Sequence, residues 1–147
     1  MFNAKVSELR KQGLEIVVPG KPKGKKAPGG VQHRYNASRQ DMEHFEAVAR
    51  QQIPDCHKTY RGAVSMRIRA FFNRPDVHFK RHKRGLSASA PADHTQKPDC
   101  DNIAKLVGDS LNGVAYHDDA QVNDLKVTKE WTEEEDERVE VDLSYKL

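Results

Sequence analysis

The sequence predicts an α+β fold: a small mixed sheet of about four strands packed against two main helices, with a C-terminal β-hairpin. Three observations predict it. Two stretches, near residues 38–52 and 102–112, place apolar residues at helical spacing. Three others, 62–72, 125–131 and 139–145, alternate apolar with polar residues, as half-buried strands do. The length of 147 residues suits a single domain, 1–147, around one core.

Residues 2–12 are expected to form a short helix with Phe2, Val6 and Leu9 inward, stopped at Gly13. Residues 14–18 are β-branched enough for a strand, closed by Pro19 and Gly20. A basic loop follows over 20–37. It carries Lys21, Lys23, Lys25 and Lys26 among glycines and prolines. Those lysines are candidates for gripping a phosphate backbone; the alternative is a flexible, solvated loop. Ser38 reads as a helix N-cap, with Asp41 completing a variant capping box. Met42, Phe45, Val48 and Ala49 then mark a core-facing stripe that runs to about Gln52, before Ile53 and Pro54.

In 62–72, Val64, Met66, Ile68, Ala70 and Phe72 share one face. Arg67 and Arg69 share the other, turned toward DNA or simply solvated. Residues 73–97 form a second basic loop with little periodicity. It contains Lys80, Arg81, Lys83 and Arg84, with Phe79 placed to stack on an unpaired base. A loop this long in a small domain is functional or disordered, and it is expected to order on DNA. At the far end, Leu125, Val127 and Trp131, then Val139, Val141, Leu143 and Tyr145, supply the inward faces of the hairpin around an acidic tip at 132–137.

Composition narrows the class. The net charge of +3 hides an asymmetry: residues 1–98 hold 20 basic and 8 acidic side chains, whereas 99–147 hold 5 and 14. A basic part beside an acidic part suits a phosphate grip beside a metal site, or two solvated faces that pair with each other. Mean hydropathy is −0.87 and no long apolar run occurs, so neither a signal peptide nor a membrane span is expected. With only two cysteines, Cys56 and Cys100, a disulfide framework is not expected, which suggests a reducing cytoplasm.

The chemistry concentrates in residues 97–119, which contain Asp99, Asp101, Lys105, Asp109, Asp118 and Asp119. In the predicted helix, Ile103, Leu106, Val107, Ser110 and Leu111 fall inward, and Asp101, Lys105, Asp109 and Asn112 fall outward. Asp101 is placed to cap its start; Asn112 and Gly113 stop it. Taken alone, this is a surface helix with an ion-pair ladder. The second acidic pair, after a short return, argues for more. Carboxylates about 4 Å apart repel by roughly 4 kcal/mol at an effective dielectric of 20, so gathering several requires protons or a cation. Oxygen donors without paired histidine or cysteine favour Mg²⁺ or Mn²⁺ over Zn²⁺.

The pattern K-P-D-x-D-N-I-x-K-x-x-x-D-x-L-N-G-x-x-x-x-D-D-x-Q-V, spanning 97–122, resembles the RusA family of Holliday junction resolvases. The resemblance implies a Mg²⁺-dependent homodimeric endodeoxyribonuclease of phages and prophages that cuts branched DNA, with Mn²⁺ as a substitute metal. By position it implies that Asp99, Asp101 and Asp119 are the essential metal-binding acids, with Asp118 beside them, and that Lys105 is the catalytic lysine. A flap or fork nuclease, or a branched-DNA binding module without catalysis, are the alternatives.

Overall fold

The computed structural model describes residues 13–26, 33–133 and 136–146, with backbone only for 33–37. The expected helix over 2–12 lies outside the described residues. The elements run β1 (Leu14–Pro19), α1 (His33–Arg50), β2 (Val64–Phe72), α2 (Cys100–Leu111), β3 (Val122–Trp131) and β4 (Arg138–Tyr145). They form one mixed four-stranded sheet, in the order β1-β4-β2-β3, and two main helices. The α+β expectation therefore holds.

The last two strands run up and down through a short connection, as a hairpin does, but β2 is inserted between them. β3 pairs parallel to β2, and β4 pairs antiparallel to both β2 and β1. The reason lies in burial. Val139, Val141, Leu143 and Tyr145 are all buried, which suits a strand bonded on both sides. Leu125 is 50 % exposed, which suits an edge and corrects its inward assignment.

β2 alternates as predicted. Val64, Met66, Ile68, Ala70 and Phe72 are buried beneath the helices. Arg69 lies on the opposite face, paired with Glu140 at 3.0 Å and Asp142 at 3.7 Å, so it is held by the sheet's own acids.

Helix α1 begins at His33, five residues before the expected start, which shortens the predicted 20–37 loop. Ser38 is not its cap. It sits inside the helix, where its hydroxyl accepts from the Lys26 N–H at 3.1 Å. Just beyond the helix, Gln52 accepts from the Val17 N–H at 2.9 Å and donates to the Val17 carbonyl at 2.7 Å. One side chain thus satisfies both backbone groups of Val17 on the free edge of β1.

The 73–97 segment is also more regular than expected. Short 3-10 turns at Asp76–His78 and Arg81–Lys83 frame an antiparallel bridge between Phe79 and Leu86. The segment's base packs on the end of the sheet. The His94 ring stacks on Phe72 with centroids 4.0 Å apart, and Trp131 meets the rings of His94 and His78 at 4.5 and 5.0 Å.

Candidate active site

α2 carries the first acids. Ile103, Leu106, Val107, Ser110 and Leu111 are all buried, as the periodicity predicts. Burying that stripe fixes the roll of the helix and turns Asp101, Lys105 and Asp109 outward together. Its start differs by one residue from the expectation: Asp99, not Asp101, is the N-cap, and the Asp99 side chain makes no capping bond. The Asp99 carboxylate is therefore exposed and not engaged by the helix it precedes. Asp101, in the first turn, approaches Lys105 at 3.8 Å, with both side chains largely exposed.

The return from the helix is buried rather than loose. Gly113 has φ +72°, a left-handed conformation that glycine adopts without a Cβ penalty. Val114, Ala115 and Tyr116 then enter the core. Tyr116 donates its hydroxyl to the Gly108 carbonyl at 3.2 Å, and Tyr145 donates to the Ala115 carbonyl at 2.8 Å. His117, Asp118 and Asp119 emerge from this anchored turn.

A capping box shapes the acids themselves. Asp118 accepts from the Ala120 N–H at 3.2 Å, and Gln121 accepts from the Asp118 N–H at 2.8 Å. The same Gln121 donates to the carbonyls of Tyr60 and Gly62, each at 2.8 Å. Gln121 is a positioning residue that the sequence reading missed, although an Asp followed three residues later by Gln is a local signal for it.

The two adjacent acids perturb each other in opposite directions. The Asp118 carboxyl is held below the usual range, chiefly by the Ala120 N–H and then by Asp119. Asp119 is pushed above it, chiefly by the bond to Asp118, then by burial and by the charges of Asp118 and Asp109. Burial pushes the Tyr116 hydroxyl up first, and the charges of Asp119, Asp109 and Asp118 add to it. The fold thus collects Asp109, Asp118 and Asp119 around Tyr116.

Asp99 and Asp101 stand toward the other end of the same helix, with Lys105 between. Asp101 and Asp109 are about 12 Å apart along the axis at 1.5 Å per residue. Among the described residues, no three acid, histidine or cysteine side chains form a ready-made metal cage. No hydrogen bond or ion pair there joins Asp99 or Asp101 to Asp119.

The basic loop lies directly on α2. The Lys25 N–H donates to the Asn102 carbonyl at 2.9 Å, and the Lys25 ammonium pairs with Asp109. Gly24 allows this approach, since a Cβ there would stand 2.9 Å from the Cβ of Pro98. An open cleft of about 570 Å³ results, lined by residues 21–26 on one wall and by Lys97, Pro98, Asp99 and Asn102 on the other. Lys21, Lys23, Lys25 and Lys26 are thereby set beside Asp99. Lys80, Arg81, Lys83 and Arg84 are exposed on the separate 73–97 projection.

Residues 16–144 match the family profile Endodeoxyribonuclease RusA. The chain belongs to the RusA endodeoxyribonuclease family. It is also 38 % identical over 129 residues to the uncharacterized protein YqaN of Bacillus subtilis (strain 168), covering 86 % of this chain and 88 % of that protein. The family match runs from the first strand through the acids to the last strand, so the RusA likeness spans the whole sheet and both helices. Among the described residues, no helix is long and apolar enough to cross a membrane.

Proposed function

We propose that this RusA-family protein is a Mg²⁺-dependent endonuclease that resolves four-way DNA junctions in recombination and repair, working as a homodimer in the cytoplasm. The observation that carries the reading is the lysine loop strapped onto the acid-bearing helix through Lys25, which sets phosphate-binding cations beside carboxylates.

The donor set suits a hard divalent ion. It is all oxygen, and Asp118 and Asp109 stand near enough to Asp119 for their charges to add to the raising of its carboxyl by Asp118's bond and by burial. The lack of an all-protein cage among the described residues is compatible with Mg²⁺, which is commonly held by one or two carboxylates together with substrate phosphate oxygens. Asp99, Asp101 and Asp119 would hold it, with Asp118 alongside; Mn²⁺ would substitute. Bound there, the ion supplies Lewis acidity and a more acidic water.

The chain's own residues do the rest. Lys105, one turn beyond Asp101, neutralises charge on the scissile phosphate or orients the attacking water. Lys21, Lys23 and Lys26 hold the strand across the cleft, with Lys25 anchored to Asp109 among them, and Lys80, Arg81, Lys83 and Arg84 grip more distant backbone. Resolution needs two symmetric cuts, which a two-fold dimer supplies. The test is a synthetic four-way junction incubated with the protein in Mg²⁺ or in EDTA. Paired nicks only with Mg²⁺ support the reading. Equal cutting of linear duplex and flaps would favour a broader nuclease, and binding without cutting would leave a recognition module.

A further inference from the structure

Residues 73–97 read in sequence as a basic loop, and phosphate contact alone would account for its cations. The structure adds three features that phosphate contact does not need. The first is a built hairpin. Phe79 and Leu86 pair across it, the Lys80 N–H donates to the Gly85 carbonyl at 2.9 Å, and the Ser87 N–H donates to the His78 carbonyl at 2.9 Å. The tip turns through left-handed His82, Lys83 and Gly85, at φ 60°, 54° and 89°.

The second is a rigid base. His78 and His94 are both buried against Trp131. The Arg74 guanidinium lies 5.3 Å from the Trp131 ring centre and donates to the Pro91 carbonyl at 2.7 Å, joining the two ends of the segment. The third is apolar surface carried among the cations. Val77 is 79 % and Leu86 45 % exposed, and they are two of the three large hydrophobic side chains left open in the described residues.

Lys83 pairs with Asp76 at 3.7 Å, but Lys80, Arg81 and Arg84 crowd the same tip and repel one another, and no fold-stabilising role is evident for apolar groups exposed beside them. A polyanion with accessible base faces satisfies both. In linear duplex the bases are stacked away, and side chains of this kind meet only phosphate and sugar. At a branch point the strands part and base faces open. Resting on the nuclease reading above, we infer that the 75–87 hairpin is a branch-point wedge: the tip cations straddle converging backbones while the exposed Leu86, backed by its half-buried partner Phe79, presses on unstacked bases. Wedges of this kind are sequence-tolerant, because every base offers a flat face.

The test separates this wedge from the nuclease reading by measuring binding in EDTA, where no cutting occurs. Three proteins are compared: wild type, Leu86→Ser, and Arg81→Ser with Arg84→Ser. Each is titrated with a four-way junction and with linear duplex of the same composition. A 2-aminopurine at the branch point reports unstacking. Circular dichroism checks that each variant folds, which is expected because the altered side chains are exposed.

Wild type should prefer the junction and raise the 2-aminopurine signal. Leu86→Ser should lose about tenfold in junction affinity, with duplex affinity within about twofold, and should lose the fluorescence rise. The double arginine variant should lose affinity for both and retain less junction preference. Equal losses of Leu86→Ser on junction and duplex, or an unchanged fluorescence rise, would overturn the wedge. A wild type that shows these binding signatures yet never cuts in Mg²⁺ would sink the nuclease reading and uphold the wedge.

Discussion

Lys25 and Asp109 form an ion pair that ties the lysine loop to the third turn of the acidic helix. Both side chains are partly exposed, so the pair contributes little to stability; surface pairs are worth about 0–1 kcal/mol. Its value is positional. It holds Lys25 against the acid-bearing helix.

Lys25→Ala should therefore lower the melting temperature by no more than a few degrees, yet slow junction cutting. Lys21→Ala and Lys26→Ala should instead weaken binding uniformly. Each should reduce the slope of log K against log salt by about 0.9, the share of one neutralised phosphate. Titrations at several salt concentrations, run beside cutting rates, distinguish the two behaviours.

Asp119 is raised by its bond to Asp118 and by nearby charge. Its folded-state pKa exceeds the unfolded value, so at neutral pH the ionised acid is disfavoured by folding and detracts from stability. Asp119→Asn removes that charge. In EDTA it should be neutral to stabilising, by under about 1 kcal/mol for an exposed group. In Mg²⁺ the wild type should gain thermal stability and the variant should gain much less. Differential scanning fluorimetry with and without Mg²⁺ reads both effects.

His94 carries a different signature. Burial, and then the charge of Lys129, hold its pKa below 6.5, and its Nδ1 is buried without a partner among the described residues. His57 is likewise lowered by burial. For both, the unfolded chain takes up protons first as pH falls below 6.5, so stability present at pH 7 is lost on acidification through that window. His94→Phe keeps a ring between Phe72 and Trp131 and removes the orphaned nitrogen. Urea denaturation should show the variant more stable at pH 7 by about 1 kcal/mol and less sensitive to pH on acidification below neutrality.

Ile103 is fully buried under the first turns of α2, next to Asp101 and Lys105 in the chain. Ile103→Ala should cost about 2–5 kcal/mol and, at temperatures where the protein stays folded, slow cutting as well, because the acid face loses its support. Denaturant midpoints paired with cutting rates would reveal the link.

The acid helix was legible because one stretch carried two independent signals. The five buried positions of α2 follow a helical period, and Gly113 marks where the chain must turn back. β2 was legible for the same reason, since one apolar face alternates over its whole length. What was hidden depended on partners distant in sequence. The two C-terminal strands do run up and down, but the crossover through α2 puts β3 on one side of β2, while β4's buried residues favour its other side. Residues 33–37 hold no apolar stripe to announce a helix, and Ser38 offered a plausible but false start. The order of the 73–97 hairpin comes from rings at 72, 78, 94 and 131 meeting in space, which local pattern does not report. The site itself was half legible. Its residue types and outward placement follow from sequence, whereas the grouping of Asp109 with Asp118 and Asp119, and the anchoring by Gln121, come from the fold.

The most direct measurement is strand cutting of a four-way junction in Mg²⁺ by wild type, Asp99→Asn, Asp101→Asn and Asp119→Asn, with junction binding measured on the same samples. The account predicts that each substitution lowers the cutting rate by at least about 100-fold while binding stays equal or tighter, since less negative charge faces the phosphates. Wild-type cutting rates in any of the three would contradict that residue's place at the metal, and in all three would contradict the site.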